Sequence, residues 1–412
     1  MTESLLEEVL TRATLQSAYR VVRRNAGAAG VDGITTTALA DHLREHWATI
    51  RERLLSGTYA PGRILGVKIP KPNGGERQLG IPTTQDRVIQ QALATRLGVL
   101  LDPTFSERSY GYRRGRSAHD AVLQAKAYVE AGKVWVVDLD ISAFFDEVDH
   151  DILMTRLGAH VRDRRVLKLI GRYLRAELVR EGQVVKRDKG TPQGGPLSPL
   201  LANLYLDALD KELEKRELSF VRYADDVAIY VTSERSAKRV LESLTTWIER
   251  HLKLRVNREK SGAGLTGERK LLGFRITSEG CIEVAKESEE RHKEKVRSVW
   301  SARSGLSGKE TFKTWRAYIR GWSNYFRMAV GTLSHLGSLT RRHIRKWFWQ
   351  RWHGKKGRWN QLKKLGIPEH RLRKVDFFCG AWKAARHPAM HEGISNAVLK
   401  KWRLYTAERS AS

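Results

Sequence analysis

The chain has 412 residues, 41% of them apolar, with a formal net charge of +29 and only two cysteines, Cys281 and Cys379. That length exceeds one ordinary core and predicts two or three packed units, while so few cysteines exclude a disulfide framework or a paired-cysteine metal knuckle and fit a reducing cytoplasm. No run reaches the roughly 18 uninterrupted apolar residues of a spanning helix, and the acidic start MTESLLEEVL lacks a signal-peptide layout, so the charge points to nucleic acid rather than a membrane.

Leu6, Val9, Leu10, Tyr19 and Val22 mark a helix over residues 3–25, broken near Thr11–Ala13. Gly27–Gly33 is a turn, and Leu39, Leu43, Trp47, Ile50 and Leu54 trace a second amphipathic helix. From Arg63 to Ile81 two apolar runs flank Pro72-Asn73-Gly74-Gly75, a hairpin with a glycine turn. Helices are expected at 84–101 and 117–131, and KVWVVDLD (133–140) is a buried strand ending in acid. Helical periodicity covers 147–178 and 199–215, followed by a hairpin at 219–232, a helix at 234–251 and short strands at 271–284. Beyond Lys286 the pattern is almost wholly helical. That stretch holds 30 Lys and Arg against 9 Asp and Glu, net +21, and nine of the 12 tryptophans. Cations interleaved with aromatics suit phosphate neutralisation and base stacking, although most of the tryptophans are expected in the core.

Four segments carry chemistry. In FVRYADDVAIYV, Asp225-Asp226 sit at a strand–turn–strand bend, where adjacent anions repel unless a cation compensates; a hard divalent metal does so well. In VWVVDLDISAFFDEVDH, Asp140 ends a buried strand and supplies the third carboxylate. Two metals about 4 Å apart can activate a 3′-hydroxyl and stabilise a leaving pyrophosphate. Asp138, two residues back on the same strand face, competes for that role; the spacing from Asp140 to the aromatic Phe145 favours Asp140. In KGTPQGGPLSPLLANLYL, Gly190, Gly194 and Gly195 let backbone approach a ligand, and Ser198-Pro199 starts a helix. In IPKPNGGERQLGIP, Lys71 and Arg77 flank the hairpin turn and could bracket a triphosphate. Alone, each segment also reads as an ordinary turn, loop or solvated hairpin.

Taken in order, the segments resemble the reverse transcriptases encoded by group II introns, which join a polymerase to an RNA-splicing maturase function. GVDGIT (30–35) is similar to the family's N-terminal extension, IPKPNGGERQLGIPTTQDRVIQ to its fingers hairpin, with Gln78 where proline is usual, and SYGYRRGRSAHDAV (109–122) also fits. LRVNREKS (254–261) looks like a further palm motif and KLLGFRI (270–276) the primer grip. WRAYIRGWSNYFR (315–327) and RRHIRKWFWQRW (341–352) resemble the thumb or maturase domain, and residues 383–402 a C-terminal segment linked to DNA-target binding in some members.

The resemblance implies an α+β, right-hand polymerase whose fingers and antiparallel palm sheet (1–285) are followed by an all-helical thumb/maturase domain (286–365) and a basic nucleic-acid-binding segment (366–412). It implies two Mg²⁺ ions, with Mn²⁺ able to substitute, held directly by Asp140 and Asp225 and supported by Asp226. Lys260 becomes a general acid near the pyrophosphate. Lys71, Arg77, Gln193 and Gly194 line the incoming nucleotide, and Phe145 is a steric gate against the ribose 2′-hydroxyl. Arg113, Arg116, Arg320, Arg341, Arg342, Arg345 and Lys346 are expected on nucleic acid. The partners are RNA template and intron RNA, a DNA primer or target and deoxynucleoside triphosphates, in a cytoplasmic, nucleoid-associated setting. No paired Cys and His of an endonuclease domain follow, so second-strand nicking is not expected. A splicing cofactor with little polymerase role, or a stand-alone enzyme recruited for repair or defence, is the alternative.

Overall fold

The computed structural model describes residues 4–70, 74–303 and 305–407; Lys71 lies outside the described residues. The chain divides into two compact units, Met1–Gly264 and Leu265–Ser412.

Eight strands build the sheets of the first part: β1 (Ile64–Pro70), β2 (Glu76–Ile81), β3 (Trp135–Leu139), β4 (Leu178–Arg180), β5 (Gln183–Val185), β6 (Ser219–Tyr223), β7 (Asp226–Val231) and β8 (Gly262–Leu265). They form two four-stranded sheets, ordered β2-β1-β4-β5 and β6-β7-β3-β8. In the second sheet β7 is antiparallel to both neighbours. Its residues from Val227 to Val231 are all buried, which explains an apolar run in place of alternation. Helices Ala118–Glu130 and Glu234–His251 pack against this sheet.

The helix Thr84–Leu101 is buried on most sides and organises the unit's core. Its Asp86 is buried and accepts hydrogen bonds from the Tyr59 hydroxyl (2.6 Å), the Thr83 hydroxyl (2.8 Å), the Tyr173 hydroxyl (3.0 Å) and the Gly62 N–H (2.9 Å). Burial raises the Asp86 pKa, and these hydrogen bonds pull against it. The Gly27–Gly33 turn lies against the start of this helix. A β-carbon on Gly30 would stand 2.7 Å from the Thr83 Cα, so only glycine fits there.

Two predicted helices are divided. The first becomes Leu5–Val9 and Arg12–Asn25, with the Thr11 side chain capping the second piece. The stretch 147–178 becomes His150–His160 and Arg164–Leu174, because Asp163 caps the latter and takes the Leu6 N–H at 3.0 Å. Its end is the strand β4, one half of a hairpin absent from the sequence reading.

In the second unit, β9 (Phe274–Ile276) and β10 (Ile282–Val284) form an antiparallel pair. Helices Lys286–Val299, Gly308–Tyr325, Val330–Arg351 and Gly354–Lys364 follow, then shorter ones to Lys401. Trp300, Trp315, Trp347 and Trp349 are buried, with Trp300 edge-on to both Trp315 and Trp347 at 5.6 Å. Tryptophan density is thus explained by packing. Residues beyond 366 share that core through Leu372, Phe377, Met390, Leu399 and Leu404. Among the described residues no helix is long and apolar enough to cross a membrane.

Candidate active site

The β6–β7 hairpin pairs Tyr223 with Asp226, leaving Ala224 and Asp225 as its two turn residues. Ala224 adopts a left-handed φ of 59°, a conformation that strains a residue bearing a β-carbon. Beside the hairpin, β3 pairs Leu139 with Val227. One residue further on each strand stand Asp140 and Asp226. The bend and the strand end are therefore neighbours, although 85 residues separate Asp140 from Asp225 in the chain.

The electrostatics agree with that placement. Burial raises the Asp225 pKa, the charge of Asp140 raises it further, and Arg77 and Arg222 oppose the shift. Two residues back on β3, Asp138 pairs with Ala228, and its charge acts on the buried Tyr230. Asp140 is held through its backbone. Its N–H donates to the Ser261 hydroxyl at 2.9 Å, and its carbonyl accepts from the Asn257 N–H at 2.8 Å. The same segment brings the Lys260 Nζ to 3.9 Å from the Asp140 carboxylate.

Among the described residues no three His, Cys, Asp or Glu side chains are drawn together tightly enough to form a ready metal cage. The backbone pairing nevertheless brings Asp140 and the Asp225-Asp226 turn to one end of the sheet. The donor set itself, oxygen only and mutually repelling, suits a hard divalent ion.

The turn rests on a buried network. Arg222 is fully buried, as is its partner Asp210; its Nε and Nη2 donate to that carboxylate at 2.7 and 2.6 Å. Its Nη1 donates to the Ala224 carbonyl and to the Asn203 side-chain oxygen, both at 2.9 Å, and the Asn203 amide donates to the Gly111 carbonyl at 2.8 Å. A strand-like segment thus runs beside β6, with the Tyr110 N–H donating to the Arg222 carbonyl at 2.8 Å.

Sequence reasoning missed Gly111 and Tyr112 as part of this site. A β-carbon on Gly111 would lie 2.2 Å from the Ala224 nitrogen. Tyr112 follows with a left-handed φ of 59°, exposed, and its hydroxyl feels the charges of Asp225, Arg77 and Asp226. Only the family resemblance of SYGYRRGRSAHDAV pointed to this segment, and no local pattern could show which turn it meets. Gly111→Ala is expected to cost about 1–3 kcal/mol through overpacking against backbone, a fall in Tm on the order of 5 °C. Gly98→Ala, at a helical position with nothing within 4 Å, serves as the control in the same melts and should not lower Tm.

The glycine-rich loop joins the other wall. The Gly80 N–H in β2 donates to the Gln193 carbonyl at 2.8 Å, and the Thr191 N–H donates to the Phe145 carbonyl at 2.6 Å. Gly194 has φ 129°, and a β-carbon there would meet the Gly80 carbonyl at 2.8 Å. Phe145 is half-buried and packs edge-on against Phe144 at 5.2 Å. Arg77 is exposed on β2, three residues before Gly80.

Of the cations expected on nucleic acid, two are corrected by burial. Arg113 points inward, its guanidinium donating to Asp102 at 2.7 Å and to the Ser106 and Ser109 carbonyls. Arg345 donates to the Ile394 carbonyl at 3.1 Å, and burial lowers its pKa to about 10. Both tie backbone together instead of facing a phosphate. Arg116 pairs with Glu107. Arg320 and Arg342 are exposed, Arg341 is half-buried, and Lys346 lies over the Trp382 ring at 4.6 Å.

Residues 69–276 match the family model of the reverse transcriptase (RNA-dependent DNA polymerase), and residues 289–366 match the maturase-specific domain of group II introns. Protein YkfC of Escherichia coli is 31% identical over 299 residues, covering 63% of this chain and 78% of that protein. The group II intron-encoded protein LtrA of Lactococcus lactis is 36% identical over 206 residues, covering 50% of this chain but only 34% of LtrA. The solved telomerase of Candida albicans, in complex with a fragment of telomeric RNA, covers 81% of this chain and 70% of its own, with 12% identity and a TM-score of 0.45.

Proposed function

Because the chain belongs to the reverse transcriptase (RNA-dependent DNA polymerase) family and carries a group II intron maturase-specific domain after it, we propose that it copies RNA into DNA where Asp140 meets the Asp225-Asp226 turn. The carrying observation is the pairing of Leu139 with Val227, which sets Asp140 beside that turn. A pair of divalent ions, magnesium with manganese able to substitute, would be held by Asp140, Asp225 and Asp226, activating the primer 3′-hydroxyl and offsetting charge on the leaving pyrophosphate.

The chain's own residues do the rest. Arg77, together with Lys71, grips the triphosphate of a deoxynucleotide. Lys260, 3.9 Å from Asp140, neutralises that carboxylate and is the acid for the pyrophosphate. Gln193 and Gly194 form the wall against the base, fixed to β2 through Gly80. Phe145 holds its ring against the sugar because its backbone is pinned by Thr191 and its side chain by Phe144.

Primer extension on an RNA template tests this. Deoxynucleotide incorporation with Mg²⁺ is expected, and none with either Mg²⁺ or Mn²⁺ would remove the reading. Phe145→Ala should raise the relative use of ribonucleotides on the order of 10²-fold, since a pocket that excludes a hydroxyl by shape alone discriminates by about that much.

The second unit supports a further role in intron RNA splicing. It carries the maturase-specific match and most of the net charge, +21 of +29 from Lys286 onward. On this reading 1–285 is the polymerase, 286–365 the maturase domain and 366–412 a nucleic-acid-binding segment.

A further inference from the structure

The second unit contains a cleft lined by residues to which no individual role has been given above. Phe312, Arg316, Phe348, Lys401, Trp402 and Arg403 line a volume of about 480 Å³. Three half-buried rings form a row within it, Phe312 to Phe348 at 6.1 Å and Phe348 to Trp402 at 5.1 Å between centroids. The other three lining residues are exposed cations. Arg316 lies over the Phe312 ring at 5.9 Å and donates to the Trp402 carbonyl at 2.6 Å, so its charge is fixed in place.

Arg403 is the informative member. The helix Asn396–Lys401 ends with the Leu404 N–H donating to the Leu399 carbonyl at 2.8 Å and the Arg403 N–H to the Lys400 carbonyl at 2.9 Å. This closure puts Arg403 in the left-handed region at φ 55°, where glycine is the usual residue. The strained backbone here carries a cation at an aromatic cleft, and strain of this kind gathers at ligand-binding positions. The backbone behind it is anchored, since the Trp315 indole N–H donates to the Tyr405 carbonyl at 2.8 Å.

We propose that this cleft binds one unpaired nucleotide of a nucleic-acid strand, the base stacking on Phe348 and Trp402 and the phosphate lying between Lys401 and Arg403. Stacking accepts any base, because every base has a π face. A base inside a duplex offers no free face, so the cleft selects single-stranded or bulged positions. A cleft of this size falls in the ordinary range for small ligands. The inference rests on the polymerase reading only in supplying nucleic acid as the partner.

The test uses the full chain and short probes of one sequence carrying 5-iodouracil: single-stranded RNA, single-stranded DNA and a duplex. Irradiation followed by peptide mapping is expected to place the cross-link at Trp402 or Phe348 with the single strands and not the duplex; the stronger single-stranded arm identifies RNA or DNA as the source. Arg403→Gly should weaken single-strand binding about fivefold and flatten its log K against log salt slope by about 0.7, the amount for one lost phosphate contact. Its Tm should not fall, because glycine relieves the strain. Cross-links confined to other residues, equal capture of the duplex, or wild-type binding by Arg403→Gly would each overturn the proposal. Primer extension on the same preparation separates the two readings: extension without this cross-link removes the cleft alone, and the cross-link without extension supports the cleft and removes the polymerase.

Discussion

Asp225→Asn is expected to lower deoxynucleotide incorporation on the order of 10³-fold, the scale of removing one charge-stabilising group from a reaction centre, while leaving the Tm unchanged or higher. The two effects have opposite signs for one reason. Burial and the neighbouring Asp140 raise the Asp225 pKa in the folded chain. For an acid shifted upward, stability falls as pH rises from the unfolded pKa through the folded one, so the penalty is in force at neutral pH. Asparagine removes the charge and with it the penalty. Mg²⁺ should raise the Tm of the wild-type protein by binding the native state, and much less so that of the variant. Single-turnover extension and melts with and without Mg²⁺ check this. Extension near the wild-type rate would take Asp225 out of the chemistry.

Arg222→Met is the substitution expected to cost most in stability, about 3–5 kcal/mol, because Asp210 would keep a buried charge with no partner. Both side chains are fully excluded from solvent. The expected fall in Tm is on the order of 10 °C. Adding Asp210→Leu should recover much of it, since apolar residues can replace a buried ion pair at little net cost. Activity should not recover in the double variant. Arg222 also donates to the Ala224 carbonyl, and the turn that presents Asp225 would still lack that support. Thermal melts with extension assays on both variants separate the two contributions; full activity in the double variant would mean the turn holds itself.

The aspartates were legible because each sits where a strand pattern stops. VWVVDLD and RYADDVAIYV are apolar runs interrupted by acid, and a carboxylate in such a place calls for a compensating charge. That they meet depends on the order β6-β7-β3, which periodicity could not give; the family resemblance supplied only that the three acids act together. The hairpin β4–β5 had a local signal that went unread: Glu181 and Gly182, both with positive φ, separate Leu178-Val179 from Val184-Val185, the layout of a two-residue turn. Strand β8 had none, since Gly262–Leu265 has little strand propensity and is drawn into pairing by the sheet. Arg113 and Arg345 were misplaced for a related reason. A cation in a basic stretch looks the same in sequence whether it faces a phosphate or a buried carbonyl, and only the fold decides.

The clamp on Asp140 has a consequence for biosynthesis. The groups that fix its backbone, the Asn257 N–H and the Ser261 hydroxyl, are translated more than a hundred residues after it. A chain still on the ribosome therefore carries all three acids before it carries the groups that hold the Asp140 backbone. Since synthesis runs from the N-terminus, a growing polypeptide that meets RNA early meets it without a working centre, and competence arrives only once the stretch ending at Ser261 has docked.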